Sequence, residues 1–211
     1  MDKLNILIIG GTGVGKSTLI NTVFDKEIAK TNDGAPITQA IQKYEKEGLC
    51  IYDSKGLEKN DPSIVEDLKN LLDKQKQKEA SEQIHIAWLC ICEATRRVEP
   101  LEKELYDLLK QYNFPTIVAI TKAMQNVNDK GEKFDEIVKN ELKATEVIRI
   151  RAIETKLDDD EENILKPIGI KDLLSKSYNL LLEVQQNALA RKQNYDRDMK
   201  KSNAKNMLLL S

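Results

Sequence analysis

Leu4-Asn5-Ile6-Leu7-Ile8-Ile9-Gly10-Gly11-Thr12-Gly13-Val14-Gly15-Lys16-Ser17 decides the fold. A short, largely apolar run ending in a glycine turn predicts a buried strand. Ser17 to Phe24 then predicts a helix with Leu19, Ile20 and Val23 turned inward. Between strand and helix, residues 10–17 match the phosphate-binding pattern Gly-x-x-x-x-Gly-Lys-Ser in length and content. Its glycines let main-chain amides converge on anionic oxygens. The following helix offers unpaired N–H groups and its positive end. Lys16 brings a point charge to the β- and γ-phosphates, and Ser17 offers a hydroxyl to Mg2+. Gly11, Thr12, Gly13, Val14, Gly15, Lys16, Ser17 and Thr18 are therefore the candidate nucleotide-binding residues here.

Outward from that loop, strands and helices alternate. Residues 25–38 read as a loop, broken by Asn32, Asp33, Gly34 and Pro36. Ala40–Tyr44 and Leu49–Tyr52 read as strands around a turn near Gly48. Ser63, with Glu66 as a capping box, opens a helix carrying Ile64, Val65, Leu68, Leu71 and Leu72 on one side. The polar stretch 73–82 reads as a solvated extension or a loop. Ile84–Cys92 reads as a central strand, Pro100 opens a helix, and Thr116–Ile120 is a strand. Lys130–Leu142 predicts a helix, Val147–Ile150 a sixth strand, and Ile170–Leu189 a long amphipathic helix beyond an exposed acidic stretch at 158–163. Such alternation predicts an α/β fold: a mostly parallel sheet with helices on both faces.

Composition narrows the function classes. The 211 residues suit one α/β domain, expected over 1–189, with 190–211 a charged helical extension or disordered tail. Thirty-three Lys and Arg against 35 Asp and Glu leave a net charge of -2, so no global basic excess draws the chain to nucleic acid or anionic lipid. The three cysteines, Cys50, Cys90 and Cys92, lie in apolar runs and read as buried thiols. His85 is the single histidine and reads as a residue at a sheet margin, which leaves a His-based zinc site or a Ser/His/Asp triad almost nothing to work with. No leader-like opening and no apolar run of bilayer length is visible, so a cytoplasmic location is expected. Only Met207 to Leu210 keeps a membrane or partner contact open.

Asp53-Ser54-Lys55-Gly56 ends the strand before it, where an acid reaches the magnesium shell through water and Gly56 offers its N–H to the γ-phosphate. Thr38 lies between the two motifs, with its hydroxyl a further candidate for magnesium and its backbone for the γ-phosphate; Thr31 is the weaker competitor. Ser17, Thr38 and Asp53 form the expected metal set, and Lys16, Thr38 and Gly56 the expected catalytic set.

Gly10 to Ser17, Thr38 and Asp53 to Gly56 resemble the first three motifs of the translation-factor-related GTPase class. Residues 10–21 look especially like the Era-like, septin-like and plastid-import-receptor-like members, and Asp53 to Glu58 like their Asp-Thr-x-Gly-Leu version. The resemblance covers about residues 4–185. It implies the P-loop NTPase fold, with six strands in the order 2-3-1-4-5-6 and an antiparallel strand 2 at the edge. It also implies Mg2+ and GTP or GDP as ligands.

Two departures from that class stand out. Its base-reading Asn/Thr-Lys-x-Asp is here Thr121-Lys122-Ala123-Met124. Lys122 keeps a stem to pack on the base, but a thioether replaces the acid that accepts from the guanine edge. Either another group reads guanine, with Asp129 a possible substitute, or base specificity is relaxed. Arg151-Ala152-Ile153 stands in the usual Ser-Ala-Lys place, where only Ala152 matches and its N–H can meet the base carbonyl. Secondly, Leu57 follows Gly56, where some members carry a water-orienting glutamine, so intrinsic hydrolysis should be slow. Gly13 sits where potassium-activated members carry Asn, so potassium dependence is not assumed. Arg96 and Arg97 either approach a nucleotide, in cis or across a dimer, or are plain surface arginines, and Lys55 is similarly divided.

The expectation is a guanine-nucleotide-binding domain with slow Mg-dependent hydrolysis and moving loops at 28–38 and 54–62. The alternatives are a catalytically weak interaction module with relaxed base specificity, and an ATPase or small-molecule kinase. By resemblance alone, partners are a second copy across the nucleotide face, a membrane or a ribosome.

Overall fold

The computed structural model describes residues 3–25, 35–38, 41–54, 63–75, 77–79, 81–156 and 163–186, with backbone alone at 35–38, 63 and 64. Strand β1 (Leu4–Ile9) is buried along its whole length. Its side chains alternate between two cores, as a period of two requires. Leu4, Ile6 and Ile8 face one, with Leu19, Ile20 and Phe24 of helix α1 (Lys16–Phe24). Leu7 and Ile9 face the other, with residues of α2 (Ser63–Gln75), α3 (Pro100–Gln111) and α4 (Phe134–Leu142). Each fully buried Leu or Ile contributes about 1.5–3 kcal/mol, so this doubly covered strand anchors the domain.

The remaining strands of the main sheet are β2 (Ala35–Thr38), β3 (Ile41–Lys46), β4 (Leu49–Ser54), β5 (Ile86–Cys92), β6 (Thr116–Thr121) and β7 (Val147–Arg149). Their order is β2-β3-β4-β1-β5-β6-β7. The six expected strands thus stand in the expected order, with parallel pairing from β4 to β7 and β3 antiparallel to β4. Strand β2 corrects two expectations: residues 35–38 are not loop, and the antiparallel strand is not the sheet edge. Pro36 reads as a breaker in the sequence, but a proline, lacking an N–H, is tolerated on an edge strand. The register shifts between Pro36 and Thr38, as at a bulge.

A small second sheet pairs β8 (Thr155–Lys156) with β9 (Ile164–Leu165), which no periodicity announced. Helix α4 begins at Phe134 rather than Lys130. Asn128 Oδ1 accepts from the Lys130 and Glu132 N–H groups and holds a tight turn instead. Helix α5 spans 170–186. It buries Leu173, Ser177 and Leu181, one helical stripe, and Ser177 Oγ accepts from the buried Trp88 indole at 2.9 Å. The expected end of this helix at 187–189, the segment 190–211 and the acidic residues 158–162 lie outside the described residues.

Candidate nucleotide site

The candidate site residues gather at the carboxyl ends of the parallel strands β1, β4 and β6, where α/β sheets bind ligands. Gly10 passes so close to β5 that a Cβ on it would lie 2.5 Å from the Cys90 carbonyl oxygen, with φ at 147°. Gly15, with φ at 103°, caps α1 with no side-chain hydrogen bond. The first amides of α1 therefore open into the loop. Lys16 is buried, and its ammonium donates to Gly10 O at 2.8 Å and Gly11 O at 3.0 Å. Burial lowers its pKa, and the charge of Asp53 opposes that shift. Ser17 is exposed at the helix start and Thr18 half-buried behind it.

Asp53 lies beside Ile8 in the register of β4 with β1. It is 6% exposed, and burial pushes its carboxyl up to about 6, against the pull of Lys16. Its Oδ1 is buried with no hydrogen-bond partner among the described residues. An orphaned carboxylate oxygen facing a phosphate loop suits the water shell of a hard divalent cation. Ser54 Oγ donates to Ile8 O at 3.1 Å and fastens the end of β4 to β1. The backbone of Thr38 closes β2, opposite Ile41; its side chain, like Thr31, Lys55, Gly56 and Leu57, lies outside the described residues.

The base end of the site is assembled by the fold. The Thr121 hydroxyl lies within hydrogen-bond reach of Val14 O and of Ile91 O, linking β6 to the phosphate loop. Lys122, with φ at 52°, is exposed, and a methyl on Gly15 would lie 3.9 Å from its Cε. The Thr22 hydroxyl of α1 lies 2.9 Å from Thr18 O and 3.2 Å from Ala152 O, within reach of both acceptors. Thr121 and Lys122 thus lie against the phosphate loop, and Ala152 lies against the later part of α1. Met124 is 38% exposed, and Asp129 sits in the exposed turn held by Asn128.

Two side chains at this end, Glu93 and Arg149, carry no sequence signal as a pair, and the contacts of Arg151 are visible only in the fold. Glu93, directly after β5, is 1% exposed and accepts from the Met124 N–H. Arg149 pairs with it, and the buried Arg151 donates to Ala123 O at 2.7 Å and Lys166 O at 2.6 Å. The one available signal was an acid directly following seven apolar residues. Arg96 instead reaches Asn126 O, and Arg97 pairs with Glu99, both in exposed contacts. Cys50, Cys90 and Cys92 are buried free thiols, and His85 Nδ1 accepts the Asn5 N–H at the start of β5. Among the described residues no His, Cys, Asp and Glu cluster forms a metal centre, and no helix is long and apolar enough to cross a membrane.

A P-loop ahead of α1, an acid at the end of β4 and a Thr-Lys pair at the end of β6 define a P-loop GTPase architecture. The family described as 50S ribosome-binding GTPase matches residues 5–122, and the chain belongs to that family. It is 31% identical over 130 residues to GTPase Der of Novosphingobium aromaticivorans, covering 60% of this chain and 27% of that protein. It is 27% identical over 124 residues to the probable GTP-binding protein EngB of Aquifex aeolicus, covering 57% of this chain and 67% of that protein. The matched stretch thus spans about a quarter of the Der relatives. Among solved structures, a probable GTP-binding protein engB superposes with a TM-score of 0.55 at 20% identity, over 85% of this chain and 99% of that one. Toc33 from Arabidopsis thaliana, in complex with GDP and Mg2+, superposes with a TM-score of 0.54 at 16% identity, over 86% of this chain and 85% of that one. At such identities these two likenesses bear on the fold.

Proposed function

We propose that this chain binds a guanine nucleotide with Mg2+ and slowly hydrolyses GTP to GDP and phosphate. The observation that carries this is the buried Asp53 carboxylate beside Lys16 at the mouth of a P-loop, with its Oδ1 unpartnered among the described residues. Lys16 exchanges its carbonyl partners, Gly10 and Gly11, for phosphate oxygens. With the loop amides it stabilises charge developing on the γ-phosphate as water attacks in line and the bond to the β-phosphate oxygen breaks. Ser17, Thr38 and Asp53 would hold magnesium, which when bound neutralises phosphate charge. Gly56 supplies an amide to the γ-phosphate, and loops 28–38 and 54–62 order with the triphosphate and relax after hydrolysis. Leu57 orients no water, so the intrinsic rate is low.

Met124 favours a second reading, a binding module with relaxed base specificity. Single-turnover hydrolysis of GTP by purified protein, dilute and concentrated, separates the two. Acceleration with concentration supports a dimer across the nucleotide face; absence of turnover at any concentration leaves only the module. Changing Ser17→Ala should weaken Mg-dependent triphosphate binding by about tenfold. Unchanged affinity in a magnesium titration would remove Ser17 from the site. A cytoplasmic location, a ribosomal or membrane partner and a domain ending near residue 189, with 190–211 as an appended arm, belong to the same proposal.

A further inference from the structure

At the base end of the site one buried carboxylate joins the ends of three neighbouring strands. Glu93 follows β5, and its Oε1 accepts the Met124 N–H at 2.7 Å, three residues beyond the end of β6. Its Oε2 accepts from Arg149, the last residue of β7, through Nε at 2.7 Å, with Nη2 at 2.6 Å. The intervening Ala123 is held as well: its N–H donates to Ile150 O at 3.0 Å, and its carbonyl accepts from Arg151 Nε. Three main-chain groups of the 122–124 turn, both of Ala123 and the N–H of Met124, are therefore tied to residues just after β5 and β7.

Both Glu93 oxygens are occupied and the residue is 1% exposed, so Glu93 is no substitute acceptor for a base. An apolar pair of similar volume would staple three strand ends at least as well, because a buried ion pair returns little net stability. What an apolar pair cannot do is accept the Met124 N–H. We infer that Glu93, clamped by Arg149, is a positioning residue that holds the 122–124 turn where the nucleoside half of a bound nucleotide packs. This rests on the nucleotide-binding reading above. Glu93 acts on the nucleoside half and leaves the phosphate half, built on Lys16 and Asp53, untouched.

The experiment compares Mg-GDP with inorganic tripolyphosphate, which has phosphates and no nucleoside. In Glu93→Leu/Arg149→Met the apolar pair keeps the strand ends packed but leaves the Met124 N–H unpaired. GDP affinity should fall about tenfold, with tripolyphosphate affinity within about twofold of wild type. In Glu93→Gln/Arg149→Met an acceptor for Met124 N–H remains without the charge pair, and GDP affinity should return to within about threefold of wild type. Wild-type GDP affinity in the Leu/Met variant overturns the inference, as does an equal loss for GDP and tripolyphosphate. If the Leu/Met variant does not fold, a tenfold GDP loss in the Gln/Met variant overturns it in the same way. Wild-type protein that binds neither probe refutes the nucleotide-binding reading itself.

Discussion

Replacing Asp53 by Asn should make the ligand-free protein more stable and the nucleotide complex less so. Burial raises the Asp53 carboxyl from 3.8 to about 6. A shift of about two units corresponds to roughly 3 kcal/mol between the two protonation states. The sign follows from linkage: a carboxyl whose folded pKa is raised favours folding when protonated. Its contribution is full below 3.8 and is lost as pH rises through about 6. At pH 8 the ionised group therefore burdens the apo fold, and an isosteric amide relieves it. Part of the gain is returned, because Lys16 loses a carboxylate that opposes its own desolvation. A net gain of about 1–2 kcal/mol raises the melting temperature by about 4 °C for a domain of this size. Thermal melts in EDTA at pH 8 and pH 5 read the effect, with the gap narrowing at pH 5 as wild-type Asp53 takes up its proton. With saturating Mg-GTP the order reverses, since wild type gains about 2.7 kcal/mol at a hundredfold excess over its Kd and the variant forfeits most of that. An apo variant less stable than wild type at pH 8, or a gap indifferent to pH, would refute the reasoning.

The exposed thioether of Met124 predicts that GTP, ITP and XTP compete with a labelled nucleotide within about threefold of one another, while Met124→Asp restores a preference for GTP over ITP of about tenfold or more. A strong GTP preference in wild type would show that another group reads the guanine edge. Thr121→Val keeps the volume but leaves Val14 O without the Thr121 hydroxyl, so GDP and tripolyphosphate should both weaken by about tenfold in calorimetric titrations. Loss for GDP alone would place the role of Thr121 in the base slot rather than in the phosphate loop.

The phosphate half of the site was legible because its chemistry is local. Gly10 to Ser17 is one contiguous frame, and Asp53 closes an apolar run. The base half was legible only where a side chain stands in a recognisable motif, as Thr121 and Lys122 do. Glu93 and Arg149 stand 56 residues apart and carry no mutual pattern; β5, β6 and β7 bring them together by lying side by side. The β2 strand is hidden from local pattern for a related reason. Asn32, Asp33, Gly34 and Pro36 are turn formers, and only a partner strand, β3, shows that the edge of a sheet admits Pro36.

Residue order alone determined that a strand, a glycine loop and a helix would meet around an anion, because each device acts within a few bonds of its neighbours. It also determined that an acid is missing at Met124. Tertiary structure alone decided how deeply Asp53 is buried, and hence that its carboxyl rises toward 6 with one oxygen unpartnered among the described residues. It also decided that the buried Glu93, paired with the half-buried Arg149 of β7, holds the turn bearing Met124. Solvent exclusion and long-range hydrogen bonds depend on what packs alongside, which no local pattern records.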